Sequence, residues 1–153
     1  MSADNQQERF LIQLDPSYVI GLIDGEGYFS ISARLRKQKT WALHEVKFTF
    51  GVKLKEQDGI IILYSLKQFF NCGSIYFRKD IRPNYSNCYE YQVSSHRDVF
   101  GKIIPFFQEH LLKFPSKQIA FRQFAVIAQM VQAKEHLRIG GIERIKILAK
   151  TLH

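Results

Sequence analysis

The hydrophobic period of this sequence changes abruptly after "PSYVIGLIDGEG", and that change constrains the fold more than any other feature. Before the change, Asp15 can cap a helix and Pro16 suits the first helical position. We therefore predict a short apolar helix from about Pro16 to Gly25. From Tyr28 onward, polar and apolar residues alternate one by one through Arg36, which predicts a strand with one buried and one solvated face.

The alternating pattern occurs in four segments, which form two pairs. "RKQKT" joins the first strand to a second, "WALHEVKFTFGV"; "RPNYSN" joins "GSIYFRKD" to "CYEYQVSS". An amphipathic helix over 57–70 separates the pairs. A helix over about 96–104 is expected to be interrupted at Pro105, and a longer helix capped by Ser116 runs to about His136. This order predicts an α+β domain, αββαββα, with a four-stranded antiparallel sheet and C-terminal helices.

The chain shows no internal repeat, low-complexity segment or linker, so residues 1–153 are predicted to form one domain. Its core spans about 10–135, and "IERIKILAKTL" forms a last helix over about 140–152. No apolar run is long enough to cross a bilayer, and "MSADNQQERF" at the start lacks the apolar centre of a secretory signal. We therefore expect no membrane partner and an intracellular location, in a bacterial cytoplasm or an organelle matrix.

The sequence carries a formal net charge of +8, which favours a polyanionic partner such as nucleic acid. The predicted polar faces of the strands bear arginine, serine, glutamine and tyrosine. Such a face can lie in a DNA major groove, where arginine pairs with guanine and glutamine with adenine. An ordinary solvated sheet face has the same pattern, and charge alone does not separate the two interpretations.

Two acids stand where a helix dipole disfavours them. Asp24 and Glu26 lie at the C-terminal end of the first helix, beside Gly21 and Gly25, whose spacing of four allows another helix to approach closely. The helix is apolar on nearly every side, so it packs either against its twin across a two-fold axis or inside the core of a monomer. Carboxylates and helix-end carbonyls together would bind Mg²⁺ or Ca²⁺ and support phosphodiester cleavage; an exposed glycine-rich turn is the alternative.

The segment "YVIGLIDGEGYFSI" closely resembles the LAGLIDADG motif of homing endonucleases, with residues 21–27 falling on the motif in order. The departures are a Val-Ile pair for the opening Leu-Ala, Gly25 for alanine and Glu26 for the last aspartate. Further along, "FTFGVKLKEQDGIIILYSLKQFFNCGSIYF" resembles the family's strand, helix and strand, and "KQIAFRQF" its late helix. The resemblance covers most of residues 10–135.

The resemblance implies a fold, an activity and partners. One motif implies a homodimer that pairs through the motif helix and places two sheets over a long, near-palindromic site in double-stranded DNA. It implies Mg²⁺-dependent cleavage across the minor groove with four-base 3′ overhangs, in the service of intron homing; Ca²⁺ or Mn²⁺ would fit the same sites. Intron RNA is a further partner if the chain is a maturase.

The resemblance also assigns roles to residues of the motif. Glu26 is the metal-binding and catalytic acid, and Gly25 offers its backbone carbonyl to the metal. Asp24 and Gly21 are structural. In "KLKEQD", Leu54 stands at a position that is often polar in the family and Asp58 at one that is often basic.

The basic residues of the site are less closely matched. Lys53 or Lys55 could supply the missing charge, and we predict Lys55. Near the late helix, Lys113 and Lys117 both compete for the role of the family's active-site lysine, and we predict Lys117.

The predicted DNA-contacting residues lie on the strands and on the first strand loop. The base-reading and phosphate-contacting candidates are Ser30, Ser32, Arg34, Arg36, Lys37, Lys39, Glu45, Lys47, Tyr76, Arg78, Glu90 and Gln92. The alternative functions are a maturase or a transcription regulator on the same fold without cleavage, or a dimeric structural protein with an unrelated basic face.

Overall fold

A four-stranded antiparallel sheet organises residues 11–152, the part of the chain that the computed structural model describes. The strands are β1 (Gly27–Lys37), β2 (Ala42–Lys55), β3 (Ser74–Arg78) and β4 (Cys88–Val93). They lie in the order β1-β2-β4-β3, so the two hairpins meet at β2 and β4. The prediction for the first ten residues lies outside the described part.

Helices precede, separate and follow the two hairpins. They are α1 (Pro16–Glu26), α2 (Glu56–Phe70), α3 (His96–Asp98), α4 (Ile104–Glu109), α5 (Pro115–Gln132) and α6 (Gly141–Ala149), with a π-helical turn over Val99–Ile103 and 3₁₀ turns over Glu135–Leu137 and Lys150–Leu152. The predicted αββαββα order and the antiparallel sheet are confirmed. Among the residues described, no helix is both long and apolar enough to cross a membrane.

The start of α1 follows the prediction. The carboxylate of Asp15 accepts a hydrogen bond from the Tyr18 N–H at 3.0 Å, and Pro16 occupies the first helical position. The helix ends one residue later than predicted, at Glu26. That extra residue matters because Glu26 is the predicted catalytic acid.

Pro105 does not interrupt the helical segment, contrary to the prediction. α3 continues through the π-helical turn into α4, and in that turn the N–H of Ile104 donates to the carbonyl of Val99. Pro105 then occupies the first turn of α4, where its fixed φ suits the helix and its missing N–H costs little.

The start and end of α5 also differ from the prediction. Ser116 does not cap the helix: Pro115 is its first residue, and Phe114 precedes it with extended backbone and no side-chain cap. α5 ends at Gln132 rather than near His136. The fixed φ of proline suits the first helical position without any side-chain cap. The prediction relied on capping by serine and therefore placed the start of the helix at the wrong residue.

The apolar face of the sheet is covered by helices. Phe29 of β1 is 3% exposed and packs against the rings of Phe107, Phe121 and Phe124 from α4 and α5 at centroid distances of 5.1–5.5 Å. Burying each such ring contributes about 1.5–3 kcal/mol. Because alternate residues of each strand are buried under the helices, the strand register turns the remaining, polar residues toward solvent.

Candidate functional site

Asp24 joins the end of α1 to the segment that precedes α5. Its side chain is 4% exposed, and its carboxylate accepts hydrogen bonds from the N–H of Lys113, at 3.0 and 3.2 Å, and of Phe114, at 3.1 Å. These bonds satisfy two backbone donors that precede a helix with no side-chain cap. The geometry supports a structural role for Asp24.

Replacing Asp24 by alanine is expected to lower the free energy of unfolding by about 2–4 kcal/mol, because two part-buried backbone donors lose a charged acceptor. Asp15→Ala, which removes one exposed helix cap, is the comparison and should cost about 1 kcal/mol. Urea denaturation of both variants measures the difference. A loss for Asp24→Ala no larger than that for Asp15→Ala would contradict the structural role.

Glu26 lies in an open cleft with several charged side chains. The cleft has a volume of about 440 Å³, and Lys53, Lys55 and Asp58 line it together with Glu26. Glu26 is exposed and makes no hydrogen bond or ion pair through its side chain with another residue in 11–152. β1 begins directly after Glu26 and β2 ends at Lys55, so the sheet brings the acid and the two lysines together.

Leu54 alternates with the two lysines and belongs to the other face of β2. It lies opposite Tyr89 in the register and packs against the buried core, whereas Lys53 and Lys55 are exposed on the polar face. Leu54 also lines one wall of the cleft. The charged residues of this wall are therefore Lys53 and Lys55, and Asp58 adds a second acid.

Lys117 approaches the same end of α1 from α5. Its Nζ donates a hydrogen bond to the backbone carbonyl of Gly27, the residue that follows Glu26. Lys113 instead uses its backbone N–H on Asp24, and its side chain is exposed. Of the two candidate lysines, Lys117 is the one whose ammonium group is held beside the motif.

The donor atoms at the end of α1 fit a hard divalent cation but are too few in one chain. Glu26 and Gly25 are exposed and offer a carboxylate and a backbone carbonyl, which are oxygen ligands of the kind that Mg²⁺ and Ca²⁺ prefer. Within residues 11–152, no group of three or more histidine, cysteine or acidic side chains could hold a metal ion. A metal here would need further ligands from a second copy, from DNA phosphate or from water.

One face of α1 is open, so the expectation that this helix is buried on nearly every side is wrong within one chain. Val19, Ile20 and Ile23 are buried against the core. Gly21 and Gly25 are exposed, and a Cβ added at either would meet no atom of residues 11–152 within 4 Å. The glycine face is therefore available for another helix.

The predicted polar sheet face is present. Six of the predicted base readers are exposed: Ser32, Arg34, Arg36, Lys47, Tyr76 and Arg78. Four are half-buried: Ser30, Glu45, Glu90 and Gln92. Lys37 and Lys39 are exposed at the tip of the β1–β2 hairpin. The sheet thus brings all twelve candidates to one face or its edge.

Glu45 has partners within the same face. Its carboxylate pairs with Nε of Arg34 at 3.0 Å and Nε of Arg36 at 3.3 Å. These arginines therefore use one nitrogen each on Glu45, which orients their guanidinium groups. Glu45 aligns two basic side chains as well as being a candidate contact itself.

Tyr28 and Lys53 belong to the same polar face but are absent from the predicted site residues. Because Tyr28 alternates in phase with Ser30, the sequence predicts that both lie on the polar face. The sequence does not predict the contacts of Tyr28, because they depend on the pairing of β2 with β4, which brings Gln92 opposite Gly51 and Glu90 opposite Lys53.

A basic antiparallel sheet face is the electrostatic footprint typical of a nucleic-acid-binding domain, and here it ends at an exposed acid with lysines on two sides. The chain belongs to the LAGLIDADG endonuclease family, whose model matches residues 19–128. The predicted family is thereby confirmed.

Known proteins resemble the chain in sequence and in fold. "Probable intron-encoded endonuclease 2" of Neurospora crassa is 32% identical over 136 residues, which are 89% of this chain and 27% of that protein. The chain spans about a quarter of the length of the curated relatives it matches.

Two solved homing endonucleases share the fold. The crystal structure of I-TnaI superposes with a TM-score of 0.77 at 31% identity and covers 93% of this chain and 90% of its own. I-SmaMI, solved with cleaved DNA and with an uncleaved DNA target in the presence of calcium ions, gives TM-scores of 0.73 and 0.71 at 28% and 27% identity. The alignments cover 91% and 89% of this chain and 44% of the I-SmaMI chain.

Proposed function

We propose that this chain is a site-specific homing endonuclease that makes a double-strand break in a long, near-palindromic DNA target. The observation that carries the proposal is the cleft that Glu26 lines together with Lys53 and Lys55, at the end of a basic sheet face. Phosphodiester hydrolysis needs an anionic ligand for a divalent metal and positive charge near the scissile phosphate. Both are available here, within one cleft.

Double-stranded DNA is the proposed substrate. Twelve candidate contact residues line one sheet face and its edge, and the chain has a formal net charge of +8. A β-surface of this kind fits the major groove. The similarity to I-SmaMI, which was solved with cleaved DNA, supports the same substrate class for this chain.

Mg²⁺ is the proposed cofactor, with Ca²⁺ or Mn²⁺ able to occupy the same ligands. Glu26 and the carbonyl of Gly25 would hold it, and when bound it would activate water and stabilise the leaving oxygen. Lys117 and Lys55 would stabilise negative charge on the phosphate. The carbonyl of Gly27 holds the Lys117 ammonium group in place for that role.

The proposed assembly is a homodimer through α1. Two observations support this proposal: the motif occurs once in the sequence, and the face around Gly21 and Gly25 is exposed. Two copies would bring two Glu26 side chains together, which would supply the ligands that one chain lacks. We propose further that the cuts leave four-base 3′ overhangs and that the activity serves intron homing.

A cleavage screen against randomised duplexes tests the proposed function. With Mg²⁺, the protein is expected to cut a small set of related, near-palindromic sites, and binding should weaken steeply as salt rises. The sequence that flanks the gene's own insertion point is the first individual duplex to test. Salt-insensitive or absent binding would favour a structural protein instead.

A second candidate function is binding without cleavage, as in an intron maturase or a transcription regulator. The observation that favours it is Asp58. This acid lines the cleft at a position where the family resemblance predicts a basic residue. The same screen separates the two, because such a protein would bind intron RNA or DNA and leave every duplex intact.

A further inference from the structure

The loop between β3 and β4, residues 79–87, is fixed at the edge of the cleft. Oδ1 of Asn87 accepts a hydrogen bond from the N–H of Asp80 at 2.9 Å, which joins the two ends of the loop. The backbone carbonyl of Asn87 accepts from the N–H of Glu56, the first residue of α2, also at 2.9 Å. Cys88, with which β4 begins, lines the cleft. The loop therefore lies at the end of the sheet where cleavage is proposed.

Arg82 is held in this loop from two directions. Its Nε donates to Oδ1 of Asp80 at 3.0 Å, and its Nη2 donates to Oδ2 of the same carboxylate at 2.6 Å. The ring of Tyr85 stacks on the guanidinium group, with 3.7 Å between Cζ and the ring centroid. A planar guanidinium is suited to a two-point carboxylate pair and to stacking on an aromatic face. These contacts orient Arg82 before any ligand binds.

The outer edge of the Arg82 guanidinium is free to bind. The pair with Asp80 uses the edge formed by Nε and Nη2. The outer edge carries one N–H on each terminal nitrogen, and these two groups have no acceptor within residues 11–152. The side chain is 63% exposed. Two parallel donors of this kind match two acceptors on one rigid partner, which in DNA are O6 and N7 of guanine or two oxygens of a phosphate.

The charge of Asp80 favours the base over the phosphate. Hydrogen bonds from the side chain and backbone of Arg82, with a contribution from the charge of Lys53, lower the pKa of Asp80 to about 2. The carboxylate is thus ionised at neutral pH, and the Arg82–Asp80 pair is neutral as a whole. A neutral pair gains little from the charge of a phosphate, whereas O6 and N7 of guanine are read by directed hydrogen bonds.

The pair also lies beside the polar sheet face. Lys53 is exposed on that face of β2, and its charge is near enough to influence Asp80. Arg82 can therefore reach DNA that is bound on the sheet.

Arginines that are already predicted to read bases are held in the same way. Nε of Arg78 donates to Oε2 of Glu90 at 2.9 Å. Nε of Arg34 and Nε of Arg36 both pair with the carboxylate of Glu45. In each case the acid lies on the Nε side of the guanidinium group. Arg82 and Asp80 extend this arrangement from the strands to the loop.

We propose that Arg82 reads a guanine in each half-site of the DNA target, with Asp80 and Tyr85 as the residues that position it. The inference rests on the proposed function, because it concerns the DNA that the sheet face would bind. The guanine would belong to the base pairs nearest the cut positions, since the loop lies at the cleft end of the sheet. Arg82 is outside the strands and is not one of the twelve predicted contact residues.

The test compares the base preferences of the wild type and Arg82→Lys, by selection for binding from randomised duplexes in EDTA. Lysine keeps the charge and loses the planar pair of donors. At one base-pair position in each half-site, the preference for guanine should fall roughly tenfold, which is the size of one bidentate contact. The preferences at the other positions should stay as in the wild type.

Arg97→Lys is the matched control. Arg97 is also an exposed arginine beside an acid, Asp98. It belongs to α3, which packs on the apolar face of the sheet, where the ring of His96 contacts the ring of Phe48. The base preferences of Arg97→Lys should equal those of the wild type.

Variants of the two positioning residues identify the same base pair independently. Asp80→Asn weakens the two-point pair with Arg82, and Tyr85→Ala removes the stacked ring. Both should lower the guanine preference at the position that Arg82→Lys changes, and at no other position. Tyr85→Phe keeps the ring and should keep the preference. Changes at different positions in these variants would overturn the positioning roles.

The outcomes separate this inference from the proposed function. An unchanged guanine preference in Arg82→Lys, or an equal loss of affinity on every sequence, would overturn the reading of guanine by Arg82 and leave the nuclease function standing. A wild-type protein that binds its selected duplex but does not cut it in Mg²⁺ would overturn the nuclease function, and the comparison with Arg82→Lys would still decide the role of Arg82. A wild-type protein that selects no duplex would overturn both.

Discussion

Replacing Glu26 by glutamine should abolish DNA cleavage and leave DNA binding nearly unchanged. The neutral amide cannot hold a divalent cation as a carboxylate does, and the loss of metal assistance should slow cleavage by about 10³-fold or more. Glu26 is exposed and its side chain makes no hydrogen bond or ion pair with the described residues, so we expect the variant to fold. Single-turnover cleavage and filter binding on the same duplex measure the two effects.

Glu143→Gln is the matched control for Glu26→Gln. It makes the same chemical change on an exposed acid of α6 and should cut at the wild-type rate. If Glu26→Gln also cuts at that rate, Glu26 is not the metal-binding acid. If it loses binding as well as cleavage, its role in the fold or in the dimer is larger than the structure indicates.

Replacing Gly21 by leucine is expected to break the homodimer while the chain itself stays folded. A Cβ at position 21 meets no atom of the described residues within 4 Å, and leucine favours a helix more than glycine does. In a close helix pair, each added side chain should cost about 1–3 kcal/mol, and the dimer contains two. The dimer dissociation constant should therefore rise at least about 30-fold, and double-strand cleavage should fall with it.

Analytical ultracentrifugation and thermal melting separate these effects of Gly21→Leu. Gly101→Leu is the matched control, because Gly101 is also exposed and helical, and an added Cβ there would meet no atom of the part of the chain described within 4 Å. Both variants should melt near the wild-type temperature, and only the Gly21 variant should sediment as a monomer. A Gly21→Leu protein that dimerises as tightly as the wild type would place the dimer contact elsewhere.

Much of the fold was predictable because local patterns and packing agree. The alternation assigned residues 28–36 of β1 and 45–50 of β2 to the faces they occupy, since a single buried face fixes the register. The cap at Asp15 and the proline after it specified where α1 starts. Two predictions about helix ends were wrong. Pro105 lies in the first turn of α4 and does not break the helical segment, and Pro115 rather than a Ser116 cap starts α5.

The candidate site was predictable in its parts and not in its contacts. The motif identified Asp24 and Glu26, but only the fold shows that Asp24 turns inward to two backbone N–H groups whereas Glu26 faces the cleft. The choice between Lys113 and Lys117 depends on where α5 begins relative to Gly27. The hydrogen bond between Tyr28 and Glu90 depends on the pairing of strands that lie more than 60 residues apart in the sequence, which a local pattern does not contain.

The most direct test of the central claim is to map the cut ends on both strands of the selected duplex, with Mg²⁺ and with EDTA. The proposed nuclease should make one cut in each strand, placed symmetrically about the centre of the site and offset by four bases to leave 3′ overhangs, and EDTA should prevent both cuts. A duplex that is bound tightly by the wild-type protein but stays intact in Mg²⁺ would contradict the account.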